Sequence, residues 1–166
     1  MKKFFFFSVA LMITTFTFGQ ESKPSPAATA TSKIGDKTVT ISYSQPSVKG
    51  REIWGKLVPF NEVWRTGANE ATTFEVDKDV TIEGQNLKAG KYGLFTIPTE
   101  GGEWTIIFNS IAQQWGAYSY DAKKDVLRVK VKSKKTDKMA ERLTFDIKGN
   151  NVNLAWEKLT VSFVVK

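Results

Sequence analysis

The sequence predicts an all-β fold, an antiparallel β-sandwich of about nine or ten strands. Three observations carry this. Apolar and polar residues alternate with a period of two in short runs along most of the chain. Tight-turn residues punctuate those runs at Gly35-Asp36, Gly84-Gln85, Gly101-Gly102 and Gly149-Asn150. Helical spacing is confined to one short region, inside an irregular stretch from 46 to 74.

The 166 residues suit a single domain. The first nineteen read as a secretory signal: Lys2 and Lys3 form a positive start, and an apolar run from 4 to 18 follows. Thr17 and Gly19 supply small residues before a cleavage expected ahead of Gln20. The apolar run is short and interrupted by Thr, so no membrane span is expected after cleavage. The protein is therefore expected outside the cytoplasm, in the periplasm or beyond. Without cysteine, it is expected to hold together by packing alone. Loss of Lys2 and Lys3 lowers the net charge from +7 to +5. That modest excess favours contact with acidic surfaces or ligands, and a secreted chain without a nucleic-acid motif is not expected to take a nucleic-acid partner.

Residues 20–32 are small, polar and proline-containing, and read as a flexible lead-in that joins a first strand near Ala28. The single domain is expected over 33–166. Val39, Ile41 and Tyr43 alternate with Thr38, Thr40 and Ser42 as a half-buried strand, which Pro46 ends. In the stretch 46–70, Ile53 and Leu57 lie one helical turn apart. Asn61 suits an N-cap and Gly67 a left-handed C-terminal cap, so one or two short helical turns are expected there, presenting Trp64 and Arg65. Strands resume with Thr72, Phe74 and Val76, then Val80 and Ile82. Residues 91–98 are apolar on both faces, which marks a central strand. A hairpin leads into 104–109, and a second irregular stretch at 110–125 gathers Trp115, Tyr118 and Tyr120. Strands are then expected at 126–133 and 142–148, around Val152, Leu154 and Trp156, and around Leu159, Val161, Phe163 and Val165. The two irregular stretches fit best at one end of a sandwich.

The segments PSVKGR, VPFNEVWRTGANEAT, AGKYGLFTIP, WTIIFN and QWGAY followed by DVLRVKV resemble a bacterial envelope family, domain-of-unknown-function family 2911. The resemblance spans roughly residues 25–165. It implies an envelope protein and brings no established activity. Some relatives carry the label asparagine synthetase B. That chemistry needs an N-terminal cysteine nucleophile and a glycine-rich pyrophosphate loop, and this chain has neither.

The chain has no histidine, which removes Ser-His-Asp and Cys-His catalysis. With cysteine also missing, neither a zinc nor a copper site is expected. Asp77, Asp79 and Glu83 read as solvated acids rather than a calcium loop. No phosphate-binding glycine loop is present, and no cofactor is expected. The remaining candidates are a ligand set of Arg51, Trp64, Arg65, Asn69, Glu70, Trp115 and Tyr118. Aromatic faces stack on sugar rings while such polar groups take hydroxyls. The leading expectation is non-catalytic binding of a small polar ligand or glycan by the 46–70 and 110–121 stretches. The alternatives are a carboxylate-dependent hydrolase using Glu62 or Glu70, and an envelope scaffold binding another protein. Packing offers competing roles: the aromatics could plug one end of the sandwich, and Arg65 with Glu70 could form a structural pair. Arg51 could equally pin its own turn. Arg128, Lys130 and Lys132 read as a solvated basic face.

Overall fold

The computed structural model describes residues 25–166. The expected signal segment and its cleavage point lie outside the described residues. Among the described residues nine strands form: β1 Ala27–Ile34, β2 Lys37–Ser44, β3 Thr73–Val76, β4 Val80–Ile82, β5 Gln85–Leu87, β6 Gly90–Ile97, β7 Glu103–Asn109, β8 Asp125–Lys148 and β9 Asn151–Val164. Seven of them make one sheet in the order β1-β2-β3-β6-β7-β8-β9, antiparallel throughout. The β4-β5 hairpin forms a second sheet of two strands, tied to the chain end by an Ile82–Val165 bridge. The long sheet curls on itself. Residues 46–48, just after β2, pair with the far half of β8: the Val48 N–H donates to Glu141 O and the Leu143 N–H to Pro46 O.

Strand periodicity explains the core. In β2, Val39, Ile41 and Tyr43 point inward and are buried, while Thr40 and Ser42 point outward. Phe74 of β3, Phe108 of β7 and Phe163 of β9 meet inside, with ring centroids 5.1 Å apart for Phe74–Phe108 and 5.9 Å for Phe108–Phe163. Burying each such ring contributes about 1.5–3 kcal/mol. As expected for a central strand, β6 is apolar on both faces. Leu94 joins the main core, while Phe95 packs with Ile107 and Ala71 in a smaller cluster on the outer face. Val63, Ala117 and Tyr120 cover that cluster, so parts of both irregular stretches lie over the sheet's outer face.

The last strands are longer than their sequence pattern suggests. The expected pairs of strands at 126–133 and 142–148, and at 152–156 and 159–165, are each one continuous strand, β8 and β9. In β9 the inward residues switch from even positions (Val152, Leu154, Trp156) to odd ones (Val161, Phe163). The switch falls at Glu157, which has φ 55° and pairs with Ala140 where the β8–β9 register is broken on both sides.

No helix forms within 46–70; the stretch is a series of turns and isolated bridges. Asn61 has φ 63°, a left-handed conformation, whereas an N-cap residue is extended. Gly67 is required for a different reason than a left-handed cap. A Cβ there would lie 3.0 Å from Thr72 Oγ1 and 3.1 Å from Ser44 O, so a side chain would force Thr72 or the end of β2 to give way by a few tenths of an ångström. The left-handed positions beside it are Thr66, at φ 56°, and Asn69, at φ 57°.

Candidate functional site

The first irregular stretch turns its aromatic residues inward. Trp64 is 9% exposed and its indole N–H donates to Gly67 O at 3.2 Å. It stacks on Trp156 with centroids 5.8 Å apart and 17° between planes. Trp54 sits edge-on to Trp64, Trp104 and Trp156 at 5.9, 5.1 and 5.7 Å. Four of the chain's five tryptophans thus share one cluster. Thr96 of β6 fixes the Trp64 backbone from both sides, donating to Trp64 O and accepting from Trp64 N–H. Arg51 hooks back onto its own turn through the carbonyls of Ser47 and Val48.

The second irregular stretch turns outward. Trp115 is 58% exposed and Tyr118 83%. What ties this stretch down is polar. Tyr120 Oη donates to Asp125 Oδ2 at 2.6 Å, Arg128 bonds both of them, and Asn109 Nδ2 donates to Asp125 Oδ1 at 2.8 Å. Burial, then the hydrogen bond to the Asp125 carboxylate and its negative charge, pushes the Tyr120 phenol up to about 12. Asp121 accepts from Lys123 N–H and so caps a single 3-10 turn at Ala122–Lys124, which leads into β8. At the other end, Ile111 crosses Gly93 so closely that a Cβ there would lie 2.7 Å from Ile111 O.

The two stretches are stitched together where they meet. Ala71 N–H donates to Gln114 O at 2.9 Å and Gly116 N–H to Asn69 O at 3.1 Å. Glu70 and Trp115 therefore stand directly opposite each other as an antiparallel bridge pair. Beside them lies a groove of about 570 Å³, within the roughly 300–1,000 Å³ common for small-molecule sites. Its floor is the outer face of β1, β2 and β3, where Thr29, Ser42 and Thr73 lie side by side in register. Gln113, Gln114 and Trp115 form one wall, and Lys91, ion-paired with Glu75 at 3.3 Å, also lines the groove. Gln114 Nε2 donates to Ile111 O, while its Oε1 is buried with no donor among the described residues.

The candidate residues separate accordingly. Glu70 and Trp115 line the groove. Asn69 supports it from behind, its Nδ2 donating to Ser25 O at 3.1 Å and to Ser44 Oγ at 3.2 Å. Arg65 lies beneath the wall: a Cβ on Gly116 would be 3.6 Å from Arg65 Nη1 and 3.0 Å from the Tyr118 ring. The Arg65 Nε is buried with no acceptor among the described residues. Arg51, Trp64 and Glu62 are not among the lining residues. Sequence reasoning missed Thr29, Ser42, Thr73, Lys91, Gln113 and Gln114. The signal for the first three was present, as outward hydroxyls at alternate positions of neighbouring strands.

Chemically, the groove offers hydroxyl and amide groups that both donate and accept, one exposed aromatic face, and a carboxylate beside that face. Among the described residues no cluster of acids has the grouping to hold a metal ion. No curated protein and no solved structure matches the chain. The family model described as "Protein of unknown function (DUF2911)" matches residues 25–165, and with nearly all of its length covered the chain belongs to that family.

Proposed function

We propose that this is an exported, non-catalytic binding protein for a small hydroxylated ligand, a mono- or oligosaccharide, held in the groove between β1–β3 and residues 112–115. The observation that carries the reading is Trp115. It is the tryptophan outside the core cluster, it is more than half exposed, and it stands opposite Glu70 beside a hydroxyl-lined floor. A sugar ring presents an apolar C–H face and a rim of hydroxyls. The first suits an indole face, and the second suits Thr, Ser, Gln and Glu side chains. Export follows from Lys2, Lys3 and the apolar run after them.

A saccharide array followed by titration calorimetry tests this. At least one neutral or amino-substituted saccharide should bind, and Trp115→Ala should weaken it roughly tenfold or more, in line with about 1.4 kcal/mol per tenfold. Glu70→Gln should weaken it as well, whereas Arg51→Met should not. An array with no binder, or a binder indifferent to Trp115→Ala, overturns the proposal. N-terminal sequencing of protein from its native cells checks export separately: the expected first residue is Gln20, within a residue or two, and an intact Met1 would refute it.

A further inference from the structure

The charge of the described residues is concentrated in one place. Residues 25–166 hold 21 basic and 16 acidic side chains, a net +5. The segment 128–142, most of β8, holds seven basic and two acidic side chains, also a net +5. The rest of the described chain is balanced. Two of the seven cations are paired: Arg128 with Asp125, and Lys130 with Glu103 at 2.5 Å. Among the described residues, Lys132, Lys134, Lys135 and Lys138 make no ion pair, and neither does Lys158 on the facing strand β9.

The shape of this arm is as unusual as its charge. Lys130, Lys132 and Lys134 share a shallow hollow of about 400 Å³ with the carboxylates of Glu83 and Glu103 and the hydroxyls of Thr160 and Ser162. Lys135 and Lys158 flank a second hollow of about 310 Å³ against Trp54 and Leu159, with Asp137 and Glu157 also in its wall. Beyond Lys135 the β8–β9 register breaks until Ala140. Met139 lies in that irregular segment, 48% exposed, over a mainly apolar hollow shared with Ala140, Ala155 and Leu159. None of these residues lines the groove at Glu70 and Trp115.

We propose that the β8–β9 arm docks on an anionic lipid surface, with lipid phosphates over Lys132, Lys134, Lys135 and Lys138 and Met139 entering the headgroup layer. Charge complementarity selects an anionic partner. Lysines without an ion pair on the same arm as an exposed apolar side chain, with Lys138 beside it, match the two demands of a membrane interface, phosphate outside and hydrocarbon beneath. A soluble polyanion would satisfy the lysines and offer nothing to Met139.

Vesicle co-sedimentation tests this, using protein that starts at Gln20 so that the apolar run at 4–18 contributes no lipid binding; all nine strands lie after that point. The protein should pellet with vesicles containing phosphatidylglycerol and stay in solution with phosphatidylcholine alone. Raising salt from about 50 to about 500 mM should release it. Replacing Lys132, Lys134, Lys135 and Lys138 together by Gln should weaken binding roughly a hundredfold or more. Met139→Ser should weaken it roughly tenfold with an unchanged near-ultraviolet dichroism spectrum. If the fourfold variant fails to fold, the salt titration of the unaltered protein supplies the same electrostatic test. Equal pelleting with both vesicle types, or insensitivity to salt, overturns the proposal. Polyphosphate binding as tight as vesicle binding, with Met139→Ser without effect, also overturns it and makes a soluble polyanion the occupant.

Discussion

The stretches 46–74 and 110–125 are both long, irregular and rich in aromatic residues, and they are put to opposite uses. The first carries Trp54 and Trp64 into a four-tryptophan cluster with backbone bonds to β6. The second leaves Trp115 and Tyr118 in solvent and is held by the Tyr120–Asp125–Arg128–Asn109 network and by passage over Gly93. Aromatic content therefore does not decide whether a loop is core or surface. What decides it is where its anchors are: buried apolar rings in one case, polar side chains at the loop ends in the other.

The largest test of this contrast is Trp64→Ala. Removing a stacked, buried indole should cost about 3–5 kcal/mol in urea unfolding. A loss below about 1 kcal/mol would mean that the cluster is not the anchor of the first stretch. Gly93→Ala comes next. Its Cβ would collide with a backbone oxygen of the second stretch, so about 1–3 kcal/mol should be lost, and the proposed saccharide binding should weaken with it because the wall at 112–115 shifts. Binding unaffected by this change would separate the wall from its anchor.

Tyr120→Phe probes the polar end. Losing the bonds to Asp125 and Arg128 should cost about 1 kcal/mol at neutral pH. The phenol's pKa is 10.0 in its ordinary state and about 12 in the fold, so the folded protein favours the neutral form. This contribution is complete below pH 10 and is lost as pH rises through 12. The stability difference between the unaltered protein and Tyr120→Phe should therefore narrow across pH 10–12; a constant difference would show that Tyr120 titrates normally. The smallest effect is expected from Trp115→Ala, within about 0.5 kcal/mol in stability. A substantial loss there would make Trp115 a structural residue and remove the contrast between the two stretches.

Much of the fold is legible in the sequence because period-two alternation records which face of each strand is buried. Val39, Ile41 and Tyr43, and the doubly apolar β6, are read directly from it. The joins are harder to read. The parity switch at Glu157 looks like a strand boundary in the sequence, because alternation breaks at a bulge just as it breaks at a turn. The site was legible only in part. Glu70 and Trp115 stood out by residue type, and the expectation that the two stretches meet agrees with their bridge. Trp64 carried the same chemical signal as Trp115, and nothing local distinguishes an indole pointing into the core from one pointing out of it. The hydroxyl floor was hidden because Thr29, Ser42 and Thr73 are far apart in sequence and become one surface only through strand register.

The curl of the long sheet also fixes the order in which the protein can be assembled. Segments near its two ends are joined by bonds between residues about a hundred positions apart: Gln45 Nε2 donates to Leu143 O, 98 residues on, and Phe145 N–H donates to Tyr43 Oη, 102 residues back. Local hairpins such as β4-β5 form in about 1–10 μs. The seam between residues 43–48 and β8 has no partner until most of the chain is present, and loop closure over that distance places folding in the slower, non-local class, about milliseconds to seconds. An emerging chain therefore remains open along its first strands until β8 follows, and any interruption before residue 141 leaves Pro46, Ser47 and Val48 without the strand that completes them.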